Sequence, residues 1–432
     1  MSENGETRGV NSPIMHSMSS SSVSAVEKAL PRPFVSLAWS NLAAQSAEQI
    51  SLAAIPMVAV LALGAGPAET GLITAAQTLP YLLLSIPAGI LADRMSRQRL
   101  MVAAEAVRAV SLFALVLLGA TGHLTIGWLA ILGFIGATGT LTFSVAGPAL
   151  VPSLVPRTML SLANGRLELA RSAAFASGPA LAGALVGWAG ASPAFALATA
   201  LSVLAVWLLA NIVESARVAN PRRHPLRELH EGAVFVWTHR WLRPIVATTV
   251  VWNIAWFVLV AAYVPFAVEI LRLDANAIGM TLAAMGVGMV MTSLLAPRLL
   301  PKMTFGKAII IGPFTSTLAS LVMLLTIWWP LPFFAALSYF LFGAGPVLWT
   351  ISQITLRQTV TPDALLGRVS ALFMTASAGS RPLGAALGGF IGSTWGLRAC
   401  LLASAIGFVA QSLVVLFSPL PAIERLPHKA SE

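Results

Sequence analysis

Glu48 is the residue from which chemistry is most directly read. It is the one charged side chain between residues 34 and 63, and Asn41, Gln45 and Gln49 share its helical face. An ionised carboxylate in a long apolar run is costly unless it faces a cavity or a partner. That cost suits a group that takes up and releases protons, so Glu48 is the candidate for proton coupling. The competing reading is a structural hydrogen bond between helices. Arg381, in "SAGSRPLGAALGG", is the second isolated charge. It is a candidate counter-charge for Glu48 or for an anionic substrate, or a partner for a backbone carbonyl.

Other charges read as structural. Glu105 and Arg108 stand three apart on one helical face, where oppositely charged side chains pair. Arg166, Glu168 and Arg171 read as a gate or packing network. Two apolar segments carry amides and aromatic rings: Thr249, Trp252, Asn253, Trp256 and Tyr263 in one, Tyr339, Phe342, Trp349 and Gln353 in the other. Such surfaces suit a bulky amphipathic ligand, and a Trp or Tyr ring face attracts a cation. Trp252, Asn253, Trp256, Tyr339, Trp349, Gln353 and Arg381, with Asn41, Gln45 and Gln49, are the candidate cavity residues.

Charge concentrates in one further place. "GILADRMSRQR" (Gly89–Arg99) packs Asp93, Arg94, Arg97 and Arg99 into seven residues. Asp93 adds nothing to an orientation signal, which Lys and Arg carry. The segment therefore reads as a latch between two parts of the protein, in which Gly89 allows close helix approach. "TPDALLGR" (Thr361–Arg368) reads as the facing helix start, with Thr361 as N-cap, Pro362 at N1 and Asp363 in the first turn.

These residues need elements to hold them, and composition names the elements. The chain has 432 residues, 57% of them hydrophobic and 10% charged. A helix needs about 20 mostly apolar residues to cross a bilayer. Twelve spans are predicted, near 34–63, 71–92, 100–120, 126–150, 160–188, 193–213, 244–268, 276–297, 308–328, 331–357, 364–392 and 397–418. The fold class is an all-α integral membrane protein of two pseudo-symmetric six-helix halves, 34–213 and 244–418. Residues 1–33 form a disordered N-terminal tail, 214–243 a connector and 419–432 a C-terminal tail. In the connector, Leu226, Leu229, Ala233, Val236 and Trp237 share one face, which predicts an amphipathic helix on the membrane surface.

Internal similarity supports the two halves. "SGPALAGALVGWAG" (Ser177–Gly190) matches "SRPLGAALGGFIGSTWG" (Ser380–Gly396), and Glu69–Gly89 aligns with Ala277–Pro297. Duplication of this kind is common in secondary transporters. One set of loops holds Arg94, Arg97, Arg99, Arg157, Arg217, Arg222, Arg223, Arg227, Arg240, Arg243, Arg298, Lys302 and Lys307. The other holds only Arg272 and Arg398. The first set, with both termini, is expected in the cytoplasm. The formal charge of +10 is explained by orientation in the membrane, and no nucleic acid is implied.

Enzymatic chemistry finds no support. The Gly306-Lys307 pair lacks the spacing of a phosphate loop. The single cysteine, Cys400, excludes a CxxC motif, and neither a metal site nor a cofactor is expected.

"GILADRMSRQR" resembles the signature of the major facilitator superfamily between its second and third helices. Gly89, Asp93, Arg94 and Arg97 match, while Ser96 and Gln98 depart from it. Val151–Gly183, Leu226–Pro244 and Thr361–Gly389 resemble the enterobactin-exporter-like and macrolide-efflux-like branch. Gly178, Pro179 and Gly183 approximate the antiporter motif of the fifth helix and so count as gating residues. The arginine found in the fourth helix of many drug–proton antiporters is absent from "GWLAILGFIGATGTLTFSVAGPAL". The resemblance implies proton-driven export of a small amphipathic compound, of drug or siderophore class, from the bacterial cytoplasm across the inner membrane. Its partners would be substrate, protons and lipid, with the chain acting as a monomer. A lipid or lysolipid flippase, a proton-coupled importer and a non-transporting scaffold or receptor stay open as alternatives.

Overall fold

The computed structural model of the protein describes residues 30–156, 159–213 and 225–425. Most of the N-terminal tail, Arg157, the connector stretch 214–224 and the end of the C-terminal tail lie outside the described residues. The side chains of Asp93, Leu226, Arg227, Leu229 and Asp363 do so as well.

The described chain is helical throughout. The first half contains α1 (Arg32–Leu63), α2 (Pro67–Leu83), α3 (Ser85–Arg94), α4 (Arg97–Ala120), α5 (Ile126–Leu154), α6 (Leu160–Ala189) and α7 (Ala191–Ala210). The connector helix is α8 (Pro225–Thr238). The second half contains α9 (Leu242–Glu269), α10 (Ala275–Leu299), α11 (Phe305–Leu325), α12 (Pro332–Val360), α13 (Asp363–Trp395) and α14 (Leu397–Leu416). Among the described residues, ten helices are long and apolar enough to cross a membrane unaided. The second span, divided into α2 and α3, and α13, which carries Arg368 and Arg381, complete the twelve.

The division of the second span corrects the single helix expected over 71–92. Pro87 has no N–H for the Leu83 carbonyl, so α2 ends there. Leu84 leaves helical geometry at φ −111, ψ −1 before α3 begins. The start of α13 also differs from expectation by one residue. Pro362 occupies the cap position with extended ψ 144. The Thr361 hydroxyl makes no cap bond and is buried without a partner.

Both halves pack by one scheme. In the first, α1 lies against α6 and α7, α4 against α5 and α7, and α2 against α5. In the second, α9 lies against α13 and α14, α11 against α12 and α14, and α10 against α12. Replacing each helix by its repeat partner converts one list into the other. The halves meet mainly where α2 packs on α13 and α6 on α10.

Glycines show where those seams are tight. A Cβ built on Gly389 would stand 3.0 Å from the Gly71 Cα, and one built on Gly183 would stand 2.9 Å from the Gly279 Cα. Small residues let membrane helices approach this closely. Both contacts lie toward the ends farthest from the Arg-rich loops. Near those loops, Gly89, Gly165 and Gly367 would each meet open space. The close approach expected at Gly89 is therefore absent: α3 turns to pack on α5 instead of bringing Gly89 against a neighbour. The halves thus touch backbone to backbone at one end, while these three glycines at the other touch nothing.

The connector helix is held to the protein. Gly232 of α8 sits against the Arg368 backbone of α13, and Arg368 Nη1 donates to Glu231 Oε2 at 2.5 Å. Val236 is buried while Trp237 is exposed. The face expected to be continuous is thus split, one edge on α13 and the other outward.

Candidate functional site: a central cavity between the halves

A cavity of about 580 Å³ lies between the halves, lined by α1, α2, α4, α5 and α6 on one side and by α9 to α14 on the other. All three tyrosines of the chain, Tyr81, Tyr263 and Tyr339, face it. A hydroxyl in lipid is unfavourable, so their convergence marks this as the polar interior.

Glu48 and Gln49 enter the cavity from α1. No hydrogen bond or ion pair of the Glu48 carboxylate is formed with the described side chains. Asn41 and Gln45 do not line the cavity. Asn41 Nδ2 instead donates to the Leu167 carbonyl of α6 at 3.4 Å, in the seam between α1 and α6.

Arg381 lines the cavity from α13, but it is not paired with Glu48. Its guanidinium lies over the Tyr81 ring, 5.0 Å from the centroid, and 5.9 Å from that of Phe257. Its Nε is buried without a hydrogen-bond partner. Contacts of this kind attract a desolvated cation by about 2 kcal/mol, yet they leave its hydrogen-bonding capacity unmet.

The second-half wall is aromatic. Trp252 and Trp256 stack at 5.5 Å and 17°, and Trp256 meets Tyr339 and Phe342 edge-on at 5.8 and 5.0 Å. Trp252 Nε1 donates to Ser316 Oγ at 3.1 Å, and Asn253 Nδ2 to Ser377 Oγ at 3.2 Å. Trp349 and Gln353 line the same cavity. Toward the end of the glycine seams Tyr263 and Tyr339 meet at 4.7 Å, and Tyr263 shares a 2.5 Å hydrogen bond with Thr281. The cavity therefore has a charged side and an aromatic side.

Pro179 lines the cavity. Gly178 packs against the backbone of α1 at Gln49 and Ile50, and Gly183 packs against α10. Arg94, Arg97 and Arg99 lie at the α3–α4 turn, away from the cavity.

Arg171, Tyr81 and Arg108 are among the lining residues that were not sequence candidates. Arg171 pairs with Glu168 at 2.6 Å and faces Phe175. Tyr81 sits beneath Arg381. Arg108 forms the expected pair with Glu105, at 2.6 Å to each carboxylate oxygen, yet it also lines the cavity. It reaches α5 through Thr140 at 2.9 Å, so a guanidinium does contact the helix in which an arginine was missed. The rarity of tyrosine was the one sequence signal that would have found Tyr81.

Twelve spans in two repeated halves around a membrane-buried cavity are the architecture of a transporter of the major facilitator superfamily, a class that is not enzymatic. The sequence profile of the family described as transmembrane secretion effector matches residues 35–432, and the chain belongs to that family. It is 27% identical over 377 residues to an uncharacterised MFS-type transporter of Sinorhizobium fredii, covering 83% of this chain and 88% of the relative. It is 26% identical over 335 residues to the enterobactin exporter EntS of Citrobacter koseri, covering 76% and 78%. The fold matches a bacterial homologue of the iron transporter ferroportin with TM-score 0.71 at 15% identity, over 89% of this chain and 98% of that one. It matches a D-xylose-proton symporter with TM-score 0.70 at 14% identity, over 93% and 99%.

Proposed function

We propose that the protein exports a small amphipathic compound, of drug or siderophore class, in exchange for protons and by alternating access. The observation that carries this reading is Glu48: a carboxylate without a partner among the described residues, in a cavity with a charged side and an aromatic side, between halves that meet backbone to backbone at one end. Similarity to enterobactin exporters supports export and the siderophore class. With the Arg-rich loops in the cytoplasm of a bacterial inner-membrane protein, this conformation has its tight glycine seams toward the outside.

The mechanism follows from charge. A positively charged pole of the substrate and a proton compete for Glu48, and the substrate's rings stack on Trp252 and Trp256. A ligand shifts a conformational equilibrium only by its differential affinity for the states. A site that accepts one occupant or the other links proton entry to substrate exit.

The test is flux of a siderophore, a macrolide and a lipophilic cation in proteoliposomes with and without a pH gradient. Wild type accumulates its substrate against a gradient only when ΔpH is imposed. Glu48→Gln keeps downhill exchange and loses the ΔpH response. A retained response removes Glu48 as the coupling group. Accumulation in the opposite sense would make the protein an importer.

A further inference from the structure

Arg108 is the most completely anchored charge in the cavity wall. It is 3% exposed, and its partner Glu105 is fully buried. Besides both Glu105 oxygens, Nη2 donates to the Ala44 carbonyl at 2.9 Å. Nη1 donates to Thr140 Oγ1 at 2.9 Å, and Nε to Ser202 Oγ at 3.3 Å. One guanidinium is thereby tied to α1, α5 and α7 as well as to its own helix, α4.

Stability alone does not explain this arrangement. Two charges taken out of water gain little net stability over apolar side chains of the same volume. The location is informative. Ala44 stands one helical turn before Glu48, and its carbonyl is the acceptor for the Glu48 backbone N–H in a regular helix. Arg108 is therefore fastened to the very turn that carries Glu48, and both side chains face one cavity.

We infer that Arg108 is a positioning residue for proton exchange: a fixed cation, tied to the helical turn of Glu48, that determines the pH at which Glu48 loads and unloads. This rests on Glu48 being the coupling acid. Glu105, Thr140 and Ser202 hold the guanidinium in place and need not touch proton or substrate. The other titratable and charged groups lining the same cavity are Tyr81 from α2, Arg171 from α6, Tyr263 from α9, Tyr339 from α12 and Arg381 from α13, with Glu105 buried behind Arg108. Arg171 is engaged by Glu168 and Arg381 rests on aromatic rings, so Arg108 is the cation whose position relative to Glu48 the backbone of α1 itself fixes.

The experiment needs only protons as ligand. The infrared C=O band of the protonated carboxyl is titrated with pH in reconstituted protein and assigned by its loss in Glu48→Gln. Glu105→Gln with Arg108→Gln removes both charges and leaves no buried ion unpaired. Arg108 lines the cavity together with Glu48 and Glu105 does not, so the double variant, which takes the cation from the cavity wall, should move the midpoint to higher pH by about one unit. Arg108→Lys, which keeps the charge, should return it toward wild type. A midpoint that stays at the wild-type value in the inserted double variant would overturn the inference. If that variant does not insert, Thr140→Val decides, because it frees one arm of the guanidinium and leaves every charge in place. An unmoved midpoint there overturns the inference equally. A ΔpH response surviving in Glu48→Gln would instead overturn the reading on which it rests.

Discussion

Gly71 of α2 and Gly389 of α13 meet backbone to backbone, with no room at either residue for a Cβ without displacement of the other helix. This contact, with its counterpart Gly183–Gly279, closes the cavity at the end farthest from the Arg-rich loops. Gly71→Val should force α2 from α13 and open that end. The measurement is labelling of Gln77→Cys by an impermeant thiol reagent, in a background with Cys400→Ser, expected to rise several-fold. Gly165→Ala, whose new methyl group meets open space, serves as the control. Equal labelling in Gly71→Val and wild type would mean that another contact keeps the end shut.

The latch predicts a loss of balance between states rather than of folding. Asp93 is the penultimate residue of α3, which Arg94 ends, and α3 packs on α5 in this conformation. Asp93→Asn should insert normally and reduce transport at least tenfold by weakening the state in which the latch is made. Full transport by inserted Asp93→Asn would remove the latch.

Orientation can be read with introduced cysteines. Cysteines at His123 and Ala191, in the background lacking Cys400, should react with an impermeant reagent added outside whole cells. One at Arg222 should react only after lysis. The reverse pattern would turn the protein over in the membrane, and with it the side assigned to the glycine seams.

A pH-dependent joint lies between the connector helix and α9. His239 Nδ1 accepts the Trp241 N–H at 3.3 Å. Burial first, and then the neighbouring Arg240, hold its pKa below the ordinary histidine value. The folded state thus favours neutral imidazole. The stabilisation is complete above the unfolded pKa of about 6.5 and is lost as pH falls through the lower, folded value. Hydrogen exchange at the Trp241 amide, corrected for its intrinsic rate, should speed up as pH falls below the ordinary histidine range. His239→Asn keeps an acceptor that does not titrate in this range, so it should abolish the dependence. A dependence that persists in His239→Asn would assign it to another group.

Much of the architecture was legible because a bilayer sets the length of its helices. Unbroken apolar runs, Lys and Arg between them and the repeat near 208 residues determine twelve spans in two halves. The repeat even pairs Gly71 with Gly279, the glycines that seal the two seams. Glu48 was legible because an unpaired charge in lipid has few explanations. Periodicity tells which residues share a helical face, and it does not tell which neighbour that face meets. Asn41 and Gln45 share the face of Glu48, yet Asn41 turns to the α6 backbone and Gln45 does not reach the cavity. Arg108 pairs locally as its spacing requires, and only the packing of α4 against α1, α5 and α7 brings the pair to the cavity wall. Gly89 matches the first glycine of the signature, but the turn of α3 toward α5 leaves it facing open space. The sequence determined which groups exist and what each must avoid in a membrane. Tertiary structure decided which of them share a cavity, because that depends on how each helix is rotated about its axis by all its neighbours together.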